Sequence, residues 1–255
     1  MPVLLIEKQA PRVTVLTLNR PERRNALTIE LMSELIDAVE ATNAEEQQRI
    51  LILKGAGKAF CTGMDLNEVA QPAKAHASAE LVAKMLITLS ETRLITIAAV
   101  HGAAVAGGTG LMSTCDFVLA AEGTKIGYPE VRRGLVPGLI MTFLRRQLRE
   151  RDLRELLFGG ELFEAERALE IGLVNRVVPR EELENETQKM VDTILQGAPR
   201  ALTNTKRLLE KLWPTTVRED VEKALAFHME ARESSEATEG VAAFLEKRPP
   251  NWATE

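Results

Sequence analysis

Short apolar runs alternate with helix-length segments through the first two-thirds of the chain. RVTVLTLN (Arg12–Asn19), RILILKG (Arg49–Gly55), ITIAAV and DFVLAAE each read as a strand rich in β-branched and aliphatic residues. RILILKG is apolar on both alternating sets, as in a strand buried on both faces. Between the first two runs lies TIELMSELIDAVEATN (Thr28–Asn43), whose Leu31, Leu35, Ile36 and Val39 form one helical stripe behind Thr28 as N-cap. ELVAKMLITLSET reads as a second helix, and NEVAQPAKAHASAE before it as a surface loop with weak helical content. Strands that alternate with helices pair mostly in parallel through right-handed crossovers. From about Met141 the patterning turns helical, interrupted by one short strand in LVNRVVP. The expected organisation is an α/β core over residues 1–180 and a helical region over 181–255.

The 255 residues carry a net charge of −5, which argues against nucleic acid or an anionic membrane as the main partner. No run of about 18 apolar residues offers a membrane span. MPVLLIEKQAP lacks the basic start of a signal peptide. Cys61 and Cys115 have neither C-x-x-C nor zinc spacing, so they read as reduced thiols. Together these features predict a cytoplasmic protein without a metal.

Several catalytic signatures are absent. There is no P-loop, no G-x-S-x-G and no H-E-x-x-H. GAGKAF lacks the third glycine of a dinucleotide fingerprint. His76, His101 and His228 are scattered and read as surface or structural. Three segments remain: KAFCTGMDL (Lys58–Leu66), HGAAVAGGTGLMSTCDF (His101–Phe117) and KIGYPEVRRGLVPG (Lys125–Gly138). Small residues at a strand end let another group approach the backbone. A glycine pair at a helix start leaves N–H groups pointing outward. Two such groups from separate loops can hold an oxygen that becomes negative. Taken alone, GAAVAGG also reads as a tight strand–helix packing joint.

In order and spacing, LNRPERRNAL, AFCTGMDL, AAVHGAAVAGG, YPEVRRGLVPG, ALEIGLVNRVVP and GVAAFLEKRPP resemble the crotonase (enoyl-CoA hydratase/isomerase) superfamily. The resemblance spans nearly the whole chain. It implies a spiral of repeated β-β-α units, with the helical C-terminal part at the interface of a homotrimer or a hexamer of two trimers. It implies an acyl-CoA thioester as substrate, with coenzyme A part of that substrate and no separate cofactor. The backbone N–H groups of Met64 and Gly107 take the places of the family's oxyanion hole. Arg24 and Ala26 match the loop that receives the adenine and phosphates of CoA. Asp65, Leu66 and Asn67 follow Met64 along the pantetheine end, where some hydratases carry lysine in place of Asn67. Phe244 and Lys247 match a C-terminal helix that reaches CoA.

Hydratases of this family use two glutamates to grip one water. Glu130 fills the second site, and the first falls on Gly110, which has no side chain. Asp116 lies at a helix-to-strand junction and reads as a backbone brace. Gly138 stands where dienoyl-CoA isomerases carry aspartate. Asp65 belongs to the structural G-x-D turn. One carboxylate suffices to take a proton at one carbon and return it at another, as 3-enoyl to 2-enoyl isomerases do. Hydration and isomerisation both stay open. So do a methylglutaconyl-CoA hydratase-like branched-chain enzyme and a non-catalytic acyl-CoA binder. The net charge disfavours a side role in RNA binding.

Overall fold

The structure, a computed structural model, describes residues 2–10, 12–69 and 72–253. The chain begins with β1 (Leu4–Ala10), β2 (Val13–Leu18), α1 (Ile29–Ala44) and β3 (Ile50–Gly55). A short α2 (Leu66–Val69) and a long α3 (Pro72–Glu91) lead into β4 (Ile95–Val100), β5 (Ala103–Val105) and α4 (Gly107–Ser113). Then come β6 (Phe117–Ala121), β7 (Lys125–Gly127), α5 (Gly138–Gln147), α6 (Glu150–Gly159), β8 (Leu162–Glu164), α7 (Ala165–Glu170) and β9 (Arg176–Val178). The chain closes with α8 (Leu183–Leu195), α9 (Pro199–Lys211), α10 (Val217–Arg232) and α11 (Ser235–Glu246).

Six strands form the main sheet in the order β1-β2-β3-β4-β6-β9. The β1–β2 hairpin is antiparallel, with Leu4 opposite Leu18. From β2 onward every pairing is parallel: Val13 lies opposite Ile50, Ile50 opposite Ile95, and Ile97 opposite Phe117. The period-2 alternation divides the core. Leu16, Leu51, Leu53, Ala98, Val100 and Val118 face the helical layer containing α1, α3 and α5. Val13, Val15, Ile50, Ile52, Ile95 and Ile97 face the opposite side and pack with Leu183, Met190, Val191 and Ile194 of α8. Thus α8, the first helix of the C-terminal region, closes the second face of the sheet. This is why the central strands are apolar on both alternating sets.

The segment read as a loop over NEVAQPAKAHASAE is corrected by α2 and α3. Alanine is the strongest helix former, and proline is tolerated in a first helical turn. Helicity here comes from propensity rather than from an apolar stripe, so the periodicity gave no sign of it.

A smaller sheet has the order β5-β7-β8. Ala103 pairs in parallel with Lys125, and Lys125 lies antiparallel to Glu164. The chain passes from the main sheet to the small one at His101 and Gly102. His101 is buried, with Nε2 2.9 Å from the Gly57 carbonyl, and Gly102 takes φ +66°. Asp116 braces the exit from α4: Oδ2 accepts from the Thr96 amide at 2.8 Å, Thr96 Oγ1 at 3.0 Å and Lys206 Nζ at 2.7 Å. Both cysteines are buried and unbridged. Among the described residues, no helix is long and apolar enough to cross a membrane.

Gly102 and Gly123 separate backbone strain from crowding. Both have positive φ, +66° and +67°. A Cβ on Gly102 would lie 1.9 Å from the Lys58 carbonyl oxygen, whereas one on Gly123 would meet nothing within 4 Å. Gly123→Ala should cost about 1–2 kcal/mol for the left-handed backbone alone. Gly102→Ala should cost at least about 2 kcal/mol more, or fail to fold. Urea denaturation of the two variants checks this, and equal losses would refute it.

Candidate active site

The site is built first from backbone. Cys61 N–H donates to the Ala103 carbonyl at 3.1 Å, and Val105 N–H to the Cys61 carbonyl at 3.0 Å. Across the same turn, Leu27 N–H donates to Gly63 and Asp65 N–H to Leu27, both at 2.8 Å. These four bonds pin residues 61–65 between β5 and the start of α1. Gly63 turns the chain at φ +85°; a Cβ there would stand 3.0 Å from the Gly107 nitrogen. Ala106 holds φ 51° and ψ −123° at the N-cap of α4, a conformation rarely taken by residues other than glycine. Gly108 lets α4 lie against the turn, since a Cβ there would fall 2.1 Å from the Cys61 carbonyl oxygen. The amides of Met64 and Gly107 therefore stand side by side. Among the described residues, neither has an acceptor. Such a pair is suited to a developing oxyanion.

Glu130 comes from the tight turn Pro129–Arg133, anchored by the fully buried Tyr128. Its carboxyl is buried, and among the described residues Oε2 has no hydrogen-bond partner. Burial pushes the Glu130 carboxyl up to about 7, while its own backbone amide and the Arg133 charge pull the other way. A carboxyl poised there can take or give a proton near neutral pH.

Gly110 faces no open space. A Cβ at this position would meet Ile140 Cγ1 at 3.2 Å and Leu86 Cδ2 at 3.6 Å. The place of a second glutamate is thus covered by an aliphatic side chain from α5. Gly138 is crossed by α10, with the Ala224 carbonyl oxygen 2.9 Å from where its Cβ would be.

One cavity of about 500 Å³ unites these parts. Val82, Val105, Leu135, Leu139 and Ile140 give it a largely aliphatic wall. Met64, Gly107 and Glu130 open onto it. So do Arg24 and Ala26 from the loop before α1, Asp65 from the pinned turn, Leu66 and Asn67 from the start of α2, and Phe244 from α11. Lys247 does not line it, and instead ends α11 as an exposed, left-handed C-cap with φ 57°. Asp65 is engaged structurally: Oδ2 accepts from Arg20 Nη2 at 3.2 Å, and Oδ1 from Asn67 Nδ2 at 3.1 Å. Burial works against it, yet these bonds hold the Asp65 carboxyl below its usual range. Among the described residues, no cluster of His, Cys, Asp and Glu could hold a metal ion.

Three lining residues escaped the sequence reading. Arg133 stands three positions after Glu130, with its guanidinium 4.3 Å from the centre of the Phe244 ring. His228 and Arg232 lie one turn apart on α10. Their i, i+4 spacing was the available signal. His228, read as surface or structural, has Nδ1 3.2 Å from the Val136 carbonyl. Burial, helped by the Arg232 charge, holds its imidazole below the usual pKa.

Residues 8–255 match the family described as enoyl-CoA hydratase/isomerase. The chain is 34% identical to the crotonyl-CoA hydratase of Syntrophomonas wolfei, over 98% of this chain and 97% of that one. Among solved structures, an enoyl-CoA hydratase/isomerase from Pseudoalteromonas atlantica superposes with a TM-score of 0.89 at 31% identity, covering 98% of this chain and 99% of that one. An enoyl-CoA hydratase from Mycobacterium avium gives 0.87 at 31% identity, over 99% of both chains. With agreement in sequence and fold from end to end, the chain belongs to the enoyl-CoA hydratase/isomerase family.

Proposed function

We propose that this protein moves a proton on the acyl chain of an enoyl-CoA, with Glu130 as its single general acid/base and no cofactor beyond the coenzyme A of the substrate. One observation carries the reading: a buried carboxyl and two backbone amides from separate loops, each without a hydrogen-bond partner among the described residues, share one cavity. The thioester oxygen would accept from Met64 N–H and Gly107 N–H. Ionised Glu130 would take the proton at C2 of a 3-enoyl thioester. The electron pair would spread onto the oxygen, and protonated Glu130 would return the proton at C4. The C3–C4 double bond then becomes C2–C3, with all atoms conserved.

The aliphatic cover over Gly110 favours this relocation of a double bond, which needs no second carboxylate. Hydration is the second reading, favoured by the names of relatives such as the crotonyl-CoA hydratase of Syntrophomonas wolfei. There water adds at C3, its proton passes to Glu130, and C2 is protonated. A 3-enoyl-CoA and a 2-enoyl-CoA assayed side by side for double-bond position and hydroxylation separate the two. Assembly as a homotrimer or hexamer belongs to the same proposal, supported by the exposed Leu208, Leu209, Leu212 and Trp213 at the end of α9. Light scattering should then give three or six times 28.2 kDa.

Glu130→Gln should lower kcat by about a hundred- to ten-thousand-fold. Unchanged turnover in this variant would refute the assignment. Because the ionised form begins the reaction, kcat/KM should fall about tenfold per pH unit below about 7.

Stability should run the opposite way. Folded Glu130 titrates near 7 against an ordinary 4.5. The folded state therefore binds more protons between these values, and stability is lost as pH rises through that window. Glu130→Gln has no such loss. It should be more stable than the natural chain by up to about 3 kcal/mol at pH 8, with the gap closing below pH 4.5. Denaturant titrations at several pH values check the sign.

A further inference from the structure

The cavity holds a charge that proton transfer does not use. Arg232 is half-buried on α10 and lines the wall near Ala79 and Val82 of α3. Its Nη2 donates to Ser78 Oγ at 3.1 Å, while its Nε is buried without an acceptor among the described residues. Burial alone lowers its pKa, with no charged group opposing. Arg146, by contrast, is bonded to Glu210 at 2.7 Å, to Asp220 at 3.0 Å and to the Thr215 carbonyl at 2.7 Å. Arg133, also in the cavity wall, likewise buries an Nε without an acceptor among the described residues, but it has the Phe244 ring face and the Glu130 charge. Arg232 has one neutral hydroxyl. His228, one turn away, adds no charge at neutral pH, since burial and Arg232 keep its pKa down.

A guanidinium left this way in an aliphatic wall is costly unless an anion completes it. The phosphates of CoA have other candidates in Arg23 and Arg24. These are exposed on the loop before α1, which Thr62 Oγ1 ties to the pinned turn through the Arg24 carbonyl at 3.3 Å. Arg232 is instead held on α3 beside aliphatic lining suited to an acyl chain.

We infer that the acyl chain of this protein's CoA thioester ends in a carboxylate and that Arg232 receives it. The two carboxylate oxygens match the guanidinium fork, and the apolar wall leaves the pair weakly screened. A methyl-ended chain would bury the same Nε unpaired. The inference rests on the acyl-CoA reading above.

Calorimetric binding of three unreactive probes to the full chain tests it: hexanoyl-CoA, adipoyl-CoA of matched length, and free CoA. The natural protein should bind adipoyl-CoA at least about tenfold more tightly than hexanoyl-CoA. Arg232→Gln should weaken adipoyl-CoA by about 10- to 100-fold, the range of a hydrogen bond to a charged group, and so erase the preference. Arg232→Lys should keep part of it. The matching 2-enoyl pair should show the same loss in the ratio of kcat/KM values. No preference in the natural protein would overturn the inference. So would an equal loss for all three probes in Arg232→Gln, which would assign the arginine to CoA phosphates or to structure. Failure of the natural protein to bind either thioester would overturn the underlying acyl-CoA reading as well.

Discussion

Two stretches of backbone, residues 61–65 and 105–108, approach so closely that almost no side chain fits between them, and the site follows from that approach. Gly63 supplies the turn and Gly108 the contact with the Cys61 carbonyl. Four backbone hydrogen bonds hold the first stretch between β5 and α1. Strand pairing of β5 with β7, and the bond from Ala106 N–H to the Gly127 carbonyl at 2.9 Å, hold the second. Ala106 sits in a backbone conformation that costs about 1–3 kcal/mol, and these surroundings over-determine it. Preorganised amides need no rearrangement when charge develops on an oxygen between them. The small sheet is thus a device for placing two N–H groups.

The aliphatic wall acts on everything charged within it. It raises Glu130 toward neutrality, which suits a proton carrier and costs the fold stability above the ordinary carboxylate pKa. Ile140 extends that wall over Gly110 and removes any like-charged neighbour that could shift Glu130 further. The same dryness makes Arg232 expensive. Arg133 is the charged neighbour that tempers Glu130, and its own position depends on α11 through Phe244. The C-terminal helices therefore reach the cavity through His228 and Arg232 of α10 and through Phe244 of α11 against Arg133, besides closing the core.

β2, β3, β4, β6 and β9 were legible from local apolar patterning, and the second sheet face explained why ITIAAV has no polar alternation; β1 and the three-residue strands β5, β7 and β8 were not read as strands. α1 was legible from its stripe and Thr28, whose Oγ1 accepts from Leu31 N–H at 3.2 Å. The second part of α3 was legible in ELVAKMLITLSET, but its alanine-rich first part was misread because alanine promotes a helix without marking a face. At the site, Met64, Gly107 and Glu130 stood out because their motifs are contiguous. In GAAVAGG, Gly108 makes the packing joint, and Gly107 carries an amide without an acceptor among the described residues, as the proposed oxyanion site needs. Arg133, His228 and Arg232 were not legible as site residues. The last two lie about a hundred positions from Glu130, and only tertiary packing of α10 on α3 and α5 brings them to the cavity. Nor could the sequence say that Ile140 covers Gly110, because that contact joins two helices whose registers are independent.

The charge inventory of the cavity links these features. Apart from Asp65, whose charge is paired with Arg20, and the exposed Arg23 and Arg24 at the mouth, its wall holds the carboxyl of Glu130 against two guanidinium groups, Arg133 and Arg232. Had Gly110 been a glutamate, two carboxylates and two arginines would balance, and a neutral acyl chain would suit the cavity. With one acid the balance is positive once Glu130 ionises, and more so when it carries a proton. A ligand that brings negative charge restores it in two places. In the proposed reaction the developing enolate would do so beside the amide pair at the moment Glu130 is protonated. The inferred carboxylate at the tail would do so permanently beside Arg232. A glycine in place of the second glutamate and an arginine with no charged partner among the described residues thus call for the same kind of ligand, an anionic one.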